Sequence, residues 1–310
     1  MQPVLSVENL SRSFGKKQAV DDISFEALPG EIMGFLGPNG AGKTTTIRII
    51  MGILAADGGR VVFHFPGHAA GRMDKTQIGY LPEERGLYDD ARVLDTLVYL
   101  AELKGKLRQQ ARREAMAWLK RLELEDYATQ KLEKLSKGMQ QKVQFVAAVL
   151  HKPPLLVLDE PFSGLDPINQ DLFKDMVRTL CSQGTTILLS AHQMNLVEEM
   201  CDTLFMINEG RRVLYGRLRD IKESYAESLV SIEHHGEADL SFLHAIEGVR
   251  NVEPNGDTVR FRYAGAEPDV NHLLKEVGGR MVIRGISVSK PPLHEIFVQT
   301  VKDRGGDVPW

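Results

Sequence analysis

Residues 37–45, Gly37-Pro38-Asn39-Gly40-Ala41-Gly42-Lys43-Thr44-Thr45, constrain this chain more than any other stretch. They satisfy G-x-x-x-x-G-K-[ST], a phosphate-binding loop when a strand precedes it and a helix follows. Both flanks fit. Ile32-Met33-Gly34-Phe35-Leu36 reads as a short buried strand, and Thr45-Thr46-Ile47-Arg48-Ile49-Ile50 as the opening of a helix. Glycines let a backbone wrap closely around an anion, because a Cβ obstructs the approach or forbids positive φ. The N–H groups of the loop and of the helix N-terminus then face the phosphates. Lys43 brings a point charge to the β- and γ-phosphates, and the Thr44 hydroxyl is suited to holding Mg2+.

A second stretch supplies the acids that such a loop needs. Leu155-Leu156-Val157-Leu158 is a continuous apolar run, the pattern of a strand buried on both faces. It delivers Asp159-Glu160 at its C-terminal end, where α/β proteins bind their ligands. Asp159 is suited to Mg2+, through water, and Glu160 to activating an attacking water. A bare apolar-Asp-Glu string says little; downstream of a phosphate loop it says a great deal. Thr185 to Leu189 reads as a further buried strand, followed by Ser190-Ala191-His192. A lone histidine is more often structural than catalytic, but a position just past a strand end on the loop side of the same sheet favours the catalytic reading of His192.

The rest of the first two-thirds fits around these stretches. Val4 to Val7, Ile23 to Phe25 and Arg60 to Phe65 read as strands of an antiparallel β layer. Phe14 sits upstream of the loop, where an aromatic ring stacks on a nucleobase or packs in the core. Gln77 to Leu81 reads as a strand ending at Pro82-Glu83-Glu84-Arg85-Gly86-Leu87-Tyr88. Leu94, Leu97, Val98 and Ala101, then Ala115, Trp118, Leu119 and Leu122, repeat at helical spacing. Residues of about 90–150 therefore form a helical insertion in an α/β domain, with Trp118 in its core. Ser136 is placed to cap a helix that Pro153-Pro154 stops. Ser163-Gly164-Leu165-Asp166-Pro167 turns into a helix of about 169–182, and Leu204 to Ile207 and Val213 to Tyr215 finish the domain.

Composition excludes several alternatives. A net charge of −4 gives no global pull toward nucleic acid. The basic cluster Lys104, Lys106, Arg108, Arg112 and Arg113 reads as the solvated side of a helix. No apolar run is long enough to span a bilayer, and Met1 to Leu10 lacks the apolar core of a signal peptide. The two cysteines, Cys181 and Cys201, suggest buried or partly buried thiols in a reducing cytosol.

Taken in order, these motifs over about residues 3–220 resemble the nucleotide-binding subunit of an ABC transporter. The resemblance implies a P-loop NTPase core with ATP and Mg2+ as cofactors. It puts Phe14 at the adenine-stacking position, residues 37–45 in the Walker A loop, Leu155 to Glu160 in Walker B with its catalytic acid, Ser163 to Asp166 in the D-loop, and His192 at the switch position. The signature loop, usually Leu-Ser-Gly-Gly-Gln, stands here as Leu135-Ser136-Lys137-Gly138-Met139. Ser136 and Gly138 keep the contacts to a γ-phosphate, while Lys137 either adds charge near the phosphate or faces solvent. Glu83 stands where the family usually has a glutamine that ligates Mg2+; Glu84 takes that role if the turn differs by one residue.

The string Tyr80 to Tyr88, with Ser136-Lys137-Gly138-Met139, resembles the branch in which one ATPase subunit serves a separate ABC-2-type permease, usually for export. That implies a sandwich dimer with a second copy or a paralogous subunit, an integral-membrane permease partner, no nucleic acid, and a place on the cytoplasmic face of the membrane. An importer subunit and a soluble ABC ATPase acting on ribosomes or DNA are the alternatives. Residues 1–222 form the ATPase domain and 227–310 an accessory one. In the latter, Ser228 to Glu233, Ala238 to Ile246, Val249 to Val252, Thr258 to Tyr263, Asp269 to Val277 and Arg280 to Ser287 follow the order β-α-β-β-α-β of a small α+β, ferredoxin-like unit. A last helix runs over about Leu293 to Val301. His234-His235 reads as an exposed strand end.

Overall fold

A computed structural model describes residues 2–65, 67, 71, 73–84, 86–225, 227–235, 239–264 and 267–303. The chain divides into two compact units that meet in sequence between Gly216 and Arg217.

The first unit is built on a six-stranded sheet in the order β5-β6-β7-β3-β8-β9. Its strands are β3 (Ile32–Leu36), β5 (Ile78–Leu81), β6 (Leu155–Asp159), β7 (Thr186–Ala191), β8 (Thr203–Asn208) and β9 (Arg211–Arg217). Strands β5, β6, β7, β3 and β8 pair in parallel. Every residue of β3, β6 and β7 is buried, which explains their unbroken apolar sequences: with both faces covered there is no solvent face to alternate with. A separate antiparallel sheet, β2-β1-β4, is formed by β1 (Leu5–Phe14), β2 (Lys17–Ala27) and β4 (Gly58–Phe63). Strands β1 and β2 are far longer than the short apolar segments that announce them. Phe25 joins the two layers, its ring 5.5 Å from that of Phe35 and 4.7 Å from that of Phe205.

Helix α1 (Lys43–Ile50) follows β3 directly through the glycine loop. The insertion comprises α2 (Val93–Leu103), α3 (Arg108–Arg121) and α4 (Lys137–Val149). Leu94, Leu97, Val98 and Ala101 are buried as their spacing requires, and so are Ala115, Leu119 and Leu122. Trp118 is half-buried rather than core; its ring meets Phe145 edge-on and carries Arg121 on one face. Helix α5 (Pro167–Ser182) begins with Pro167 in its first turn, and α6 (Met194–Met200) follows β7. No helix among the described residues is long and apolar enough to cross a membrane.

The second unit opens with α7 (Leu218–Glu223) and carries an antiparallel sheet in the order β11-β12-β10-β13. Its strands are β10 (Glu227–His234), β11 (Val249–Asn255), β12 (Thr258–Ala264) and β13 (Ile283–Ser289). Helix α8 (Glu267–Gly278) precedes β13, and α9 (Leu293–Asp303) ends the described chain. The strand order is that of the ferredoxin-like split βαβ arrangement. Two expectations need correction. The helix expected over Ala238 to Ile246, whose first residue lies outside the described residues, is a 3-10 turn of Ser241–Ala245. Asp239 accepts the Ser241 N–H and turns the chain there. His234 is buried, since it lies on the inward face of β10 with Val230 and Ile232, while His235 is exposed.

Candidate active site

Strand β3 ends at the sheet's C-terminal edge, and the loop that follows is shaped by what a Cβ would strike. One on Gly37 would lie 2.3 Å from the Ile207 carbonyl oxygen, and one on Gly42 would lie 2.4 Å from that of Ala19. Gly42, with φ of 113°, stands at the N-cap of α1 and offers no side chain to its first N–H groups. Those donors are thereby left to an anion. Ala41 is buried, and its N–H donates to the Pro38 carbonyl. The cleft has a volume of about 300 Å3, with Phe14 and Lys17 among its walls, along with Pro38 to Gly40, Gly42 to Thr45, Glu83 and Glu160. Phe14 keeps nearly half of its surface exposed and has the Arg12 guanidinium 5.0 Å from its ring centre.

Three charged side chains meet at the phosphate end. The buried Lys43 ammonium donates to the carbonyls of Gly37 (2.6 Å) and Pro38 (3.3 Å), and lies 3.6 Å from Glu160 Oε1. The other Glu160 oxygen, Oε2, is 2.8 Å from His192 Nδ1. Glu160 itself takes φ of 51°, a left-handed conformation uncommon for a residue with a side chain. Such strain persists only where the surroundings enforce it, and it gathers at functional sites.

Asp159 is almost wholly buried at the end of β6. Its Oδ1 accepts the Ser190 hydroxyl at 2.6 Å, and the same Ser190 oxygen accepts the Glu160 N–H at 2.9 Å. The parallel register pairs Asp159 with Ser190 directly across β6 and β7. Burial pushes the Asp159 carboxyl above its usual range, the charges of Glu83 and Glu160 push the same way, and Ser190 and Lys43 oppose them. Asp159 Oδ2 is buried and meets no hydrogen-bond partner among the described residues. An orphaned carboxylate oxygen beside phosphate-binding N–H groups fits a hard divalent cation or its water.

A family model described as ABC transporter matches residues 20–163, from β2 to just past these acids. A second, described as the C-terminal domain of DrrA1-3-like ATP-binding proteins, matches residues 216–301. YhaQ of Bacillus subtilis, an ABC transporter ATP-binding protein, is 42% identical over 96% of this chain and 98% of its own. The chain belongs to the ATP-binding proteins of ABC transporters. ATP is the nucleotide of that family and its hydrolysis the family's reaction. Two further relatives share both units: the linearmycin resistance ATP-binding protein LnrL of Bacillus subtilis, 30% identical over 95% of this chain and 97% of its own, and the Nod factor export ATP-binding protein I of Rhizobium etli, 31% identical over 95% and 92%. A solved ATP-binding subunit of an ABC transporter superposes with a TM-score of 0.66 at 31% identity, covering 71% of this chain and 92% of that one.

In this ABC ATP-binding protein the sequence-marked residues fall into two groups. Phe14, Pro38 to Gly40, Gly42 to Thr45, Glu83 and Glu160 share the cleft, Gly37 and Ala41 sit within the loop behind its wall, and Asp159 and His192 bond to or adjoin its acids. Glu83 lines the cleft; Glu84 is not among its lining residues and lies 3.9 Å from Arg48. Arg85, in the same string, lies outside the described residues. Ser136, Gly138 and Asp166 do not line the cleft. Ser136 caps α4 by accepting the Met139 N–H, and Asp166 caps α5 by accepting that of Asn169. Ser190 is the residue that motif reading passed over. Its signal was a hydroxyl at the end of a buried strand, two residues before His192.

Proposed function

We infer that this protein is the ATP-hydrolysing subunit of an exporter, driving a separate ABC-2-type permease by closure of a sandwich dimer. The observation that carries the inference is the junction of Lys43, Glu160 and His192 beside the glycine loop. Phosphates seat on the loop N–H groups and on Lys43, which exchanges its contact with Glu160 for the anion. Phe14 stacks on the base. Glu160 takes a proton from the attacking water, and His192, bonded to Glu160, orients that carboxylate and contacts the γ-phosphate. Thr44, Asp159 and Glu83 would hold Mg2+, which when bound neutralises phosphate charge. Ser136 and Gly138, outside the cleft of their own chain, serve the cleft of a second copy.

Export is supported by relatives named for export and for resistance that align over both units. Residues 83–88 receive the permease, and the protein works at the cytoplasmic face of the membrane. The second unit stabilises the dimer or regulates it; truncation after Gly216 with unchanged dimerisation and regulation would remove that role.

The test of the core reading is Glu160→Gln. It should bind ATP yet hydrolyse it about a hundredfold more slowly or worse, the scale of lost general-base help. Turnover like that of the wild type would refute the assignment. The same variant with ATP, tagged and drawn from detergent-solubilised membranes, should bring down a polytopic membrane protein. Recovery of ribosomes or DNA in its place would move the function to the soluble ABC ATPases.

A further inference from the structure

Three acids, Glu160, Asp159 and Glu83, stand at or beside the cleft. Glu160 accounts for proton transfer and Asp159 for the cation, both fixed by hydrogen bonds to Ser190 and His192. Glu83 is different. It is exposed, it stands on the loop after β5, and it lines the same cleft as Lys43, Thr44 and Glu160. Its charge also reaches Asp159, whose ionised form it disfavours. Lys43, the cation at this end of the cleft, lies within 3.6 Å of Glu160 and is already engaged with two carbonyls.

We propose that Glu83 makes nucleotide capture conditional on the divalent cation, by repelling a bare triphosphate and attracting a metal-bound one. This rests on the nucleotide reading given above and deepens it. A carboxylate is a hard oxygen ligand for a divalent cation. Without that cation it is a fixed negative charge facing a polyanion. The two roles have opposite signs, so one side chain widens the gap between the two affinities from both ends. A neutral amide of the same shape keeps an oxygen for the cation and removes the repulsion. Glu83 is exposed, and two unit charges about 4 Å apart in water-like surroundings change affinity roughly fivefold. Free triphosphate is thereby kept from occupying a site in which it cannot react.

The experiment is equilibrium binding of trinitrophenyl-ATP to the full chain, with excess Mg2+ and with EDTA. The quantity read is the ratio of the two affinities. Glu83→Gln should reduce that ratio about fivefold, chiefly by tighter binding in EDTA. Glu84→Gln, which removes a neighbouring charge directed at Arg48, should leave the ratio as in the wild type. Equal ratios in the wild type and Glu83→Gln would overturn the proposal while leaving the nucleotide site intact. Equal reductions in both variants would also overturn it, since a general loss of surface charge would then suffice. A wild-type protein that bound no nucleotide in either condition would overturn the functional reading itself.

Discussion

Replacing Ser190 by alanine removes one oxygen atom that two acids share. The hydroxyl has no solvent exposure, donates to Asp159 at 2.6 Å and accepts the Glu160 N–H at 2.9 Å. Alanine suits the backbone of β7 and leaves only a small void, so the cost comes from the stranded polar groups. Losing a hydrogen bond to a charged group costs about 1.5–3 kcal/mol, and leaving a buried N–H unpaired about 1–3 kcal/mol. The two losses come from one atom and do not add in full, giving about 2–4 kcal/mol. The variant should also need about 10–100-fold more Mg2+ for half-maximal ATPase activity, the usual penalty for removing a group that orients a metal ligand. Urea unfolding followed by circular dichroism measures the first effect, and a Mg2+ titration of turnover the second. Stability within about 0.5 kcal/mol of the wild type, with an unchanged Mg2+ requirement, would refute the idea that Ser190 holds the acid pair.

Gly42→Ala and Gly40→Ala should separate steric blockage from backbone strain. Both glycines have positive φ, but a Cβ on Gly42 runs into the Ala19 carbonyl and one on Gly40 meets nothing within 4 Å. Gly40→Ala should cost about 1–2 kcal/mol and keep ATP binding, whereas Gly42→Ala should lose at least about tenfold in affinity as the loop shifts; equal binding by the two would overturn the comparison. His151 should make the first unit acid-sensitive. Burial, then the charge of Lys104, hold its pKa down to about 4 against an ordinary 6.5, and its bond to the Ile78 carbonyl only partly opposes this. Between these values the unfolded chain binds more protons than the folded one, so stability is complete above pH 6.5 and falls as pH drops toward 4. The contribution amounts to about 3 kcal/mol at most. His151→Leu should flatten that part of the stability–pH curve, and a curve parallel to that of the wild type would count against the assignment.

The parts legible in sequence were those whose chemistry is local. The glycine loop needs consecutive residues of special backbone freedom, and β6 announces itself by an apolar run ending in acids. Ser136 could be placed at a helix start because a cap acts over three residues, whereas Asp166 was read only as part of a turn. Ser190 was harder, because its role depends on the parallel register of β6 and β7, which no local pattern sets. Strands β1 and β2 were read short because their polar positions alternate with buried ones and hide their length. The 3-10 turn at Ser241–Ala245 buries only Leu243 fully, too little to stabilise a helix of that size. His234 was within reach of the sequence: period two along β10 places it inward with Val230 and Ile232. Reading the His-His pair as one exposed end ignored that alternation.

The two groups of marked residues, inside and outside the cleft, are joined within one chain. Gln141, in the second turn of α4, donates to the Pro161 carbonyl at 2.7 Å, one residue beyond Glu160. The segment from Pro161 leads on to Asp166, the cap of α5. Glu160 occupies strained backbone at the head of that segment. Pro161, next to Glu160, is thus tied to the helix whose start carries Ser136 and Gly138, and the same segment runs on to Asp166 at the start of α5. The connection runs through one hydrogen bond, from Gln141 to the Pro161 carbonyl. On the sandwich-dimer reading proposed above, that bond links the acid of the cleft to the helix that would carry Ser136 to a second subunit. Opening the contact at Gln141 would leave the chemistry of the cleft in place while weakening its link to assembly.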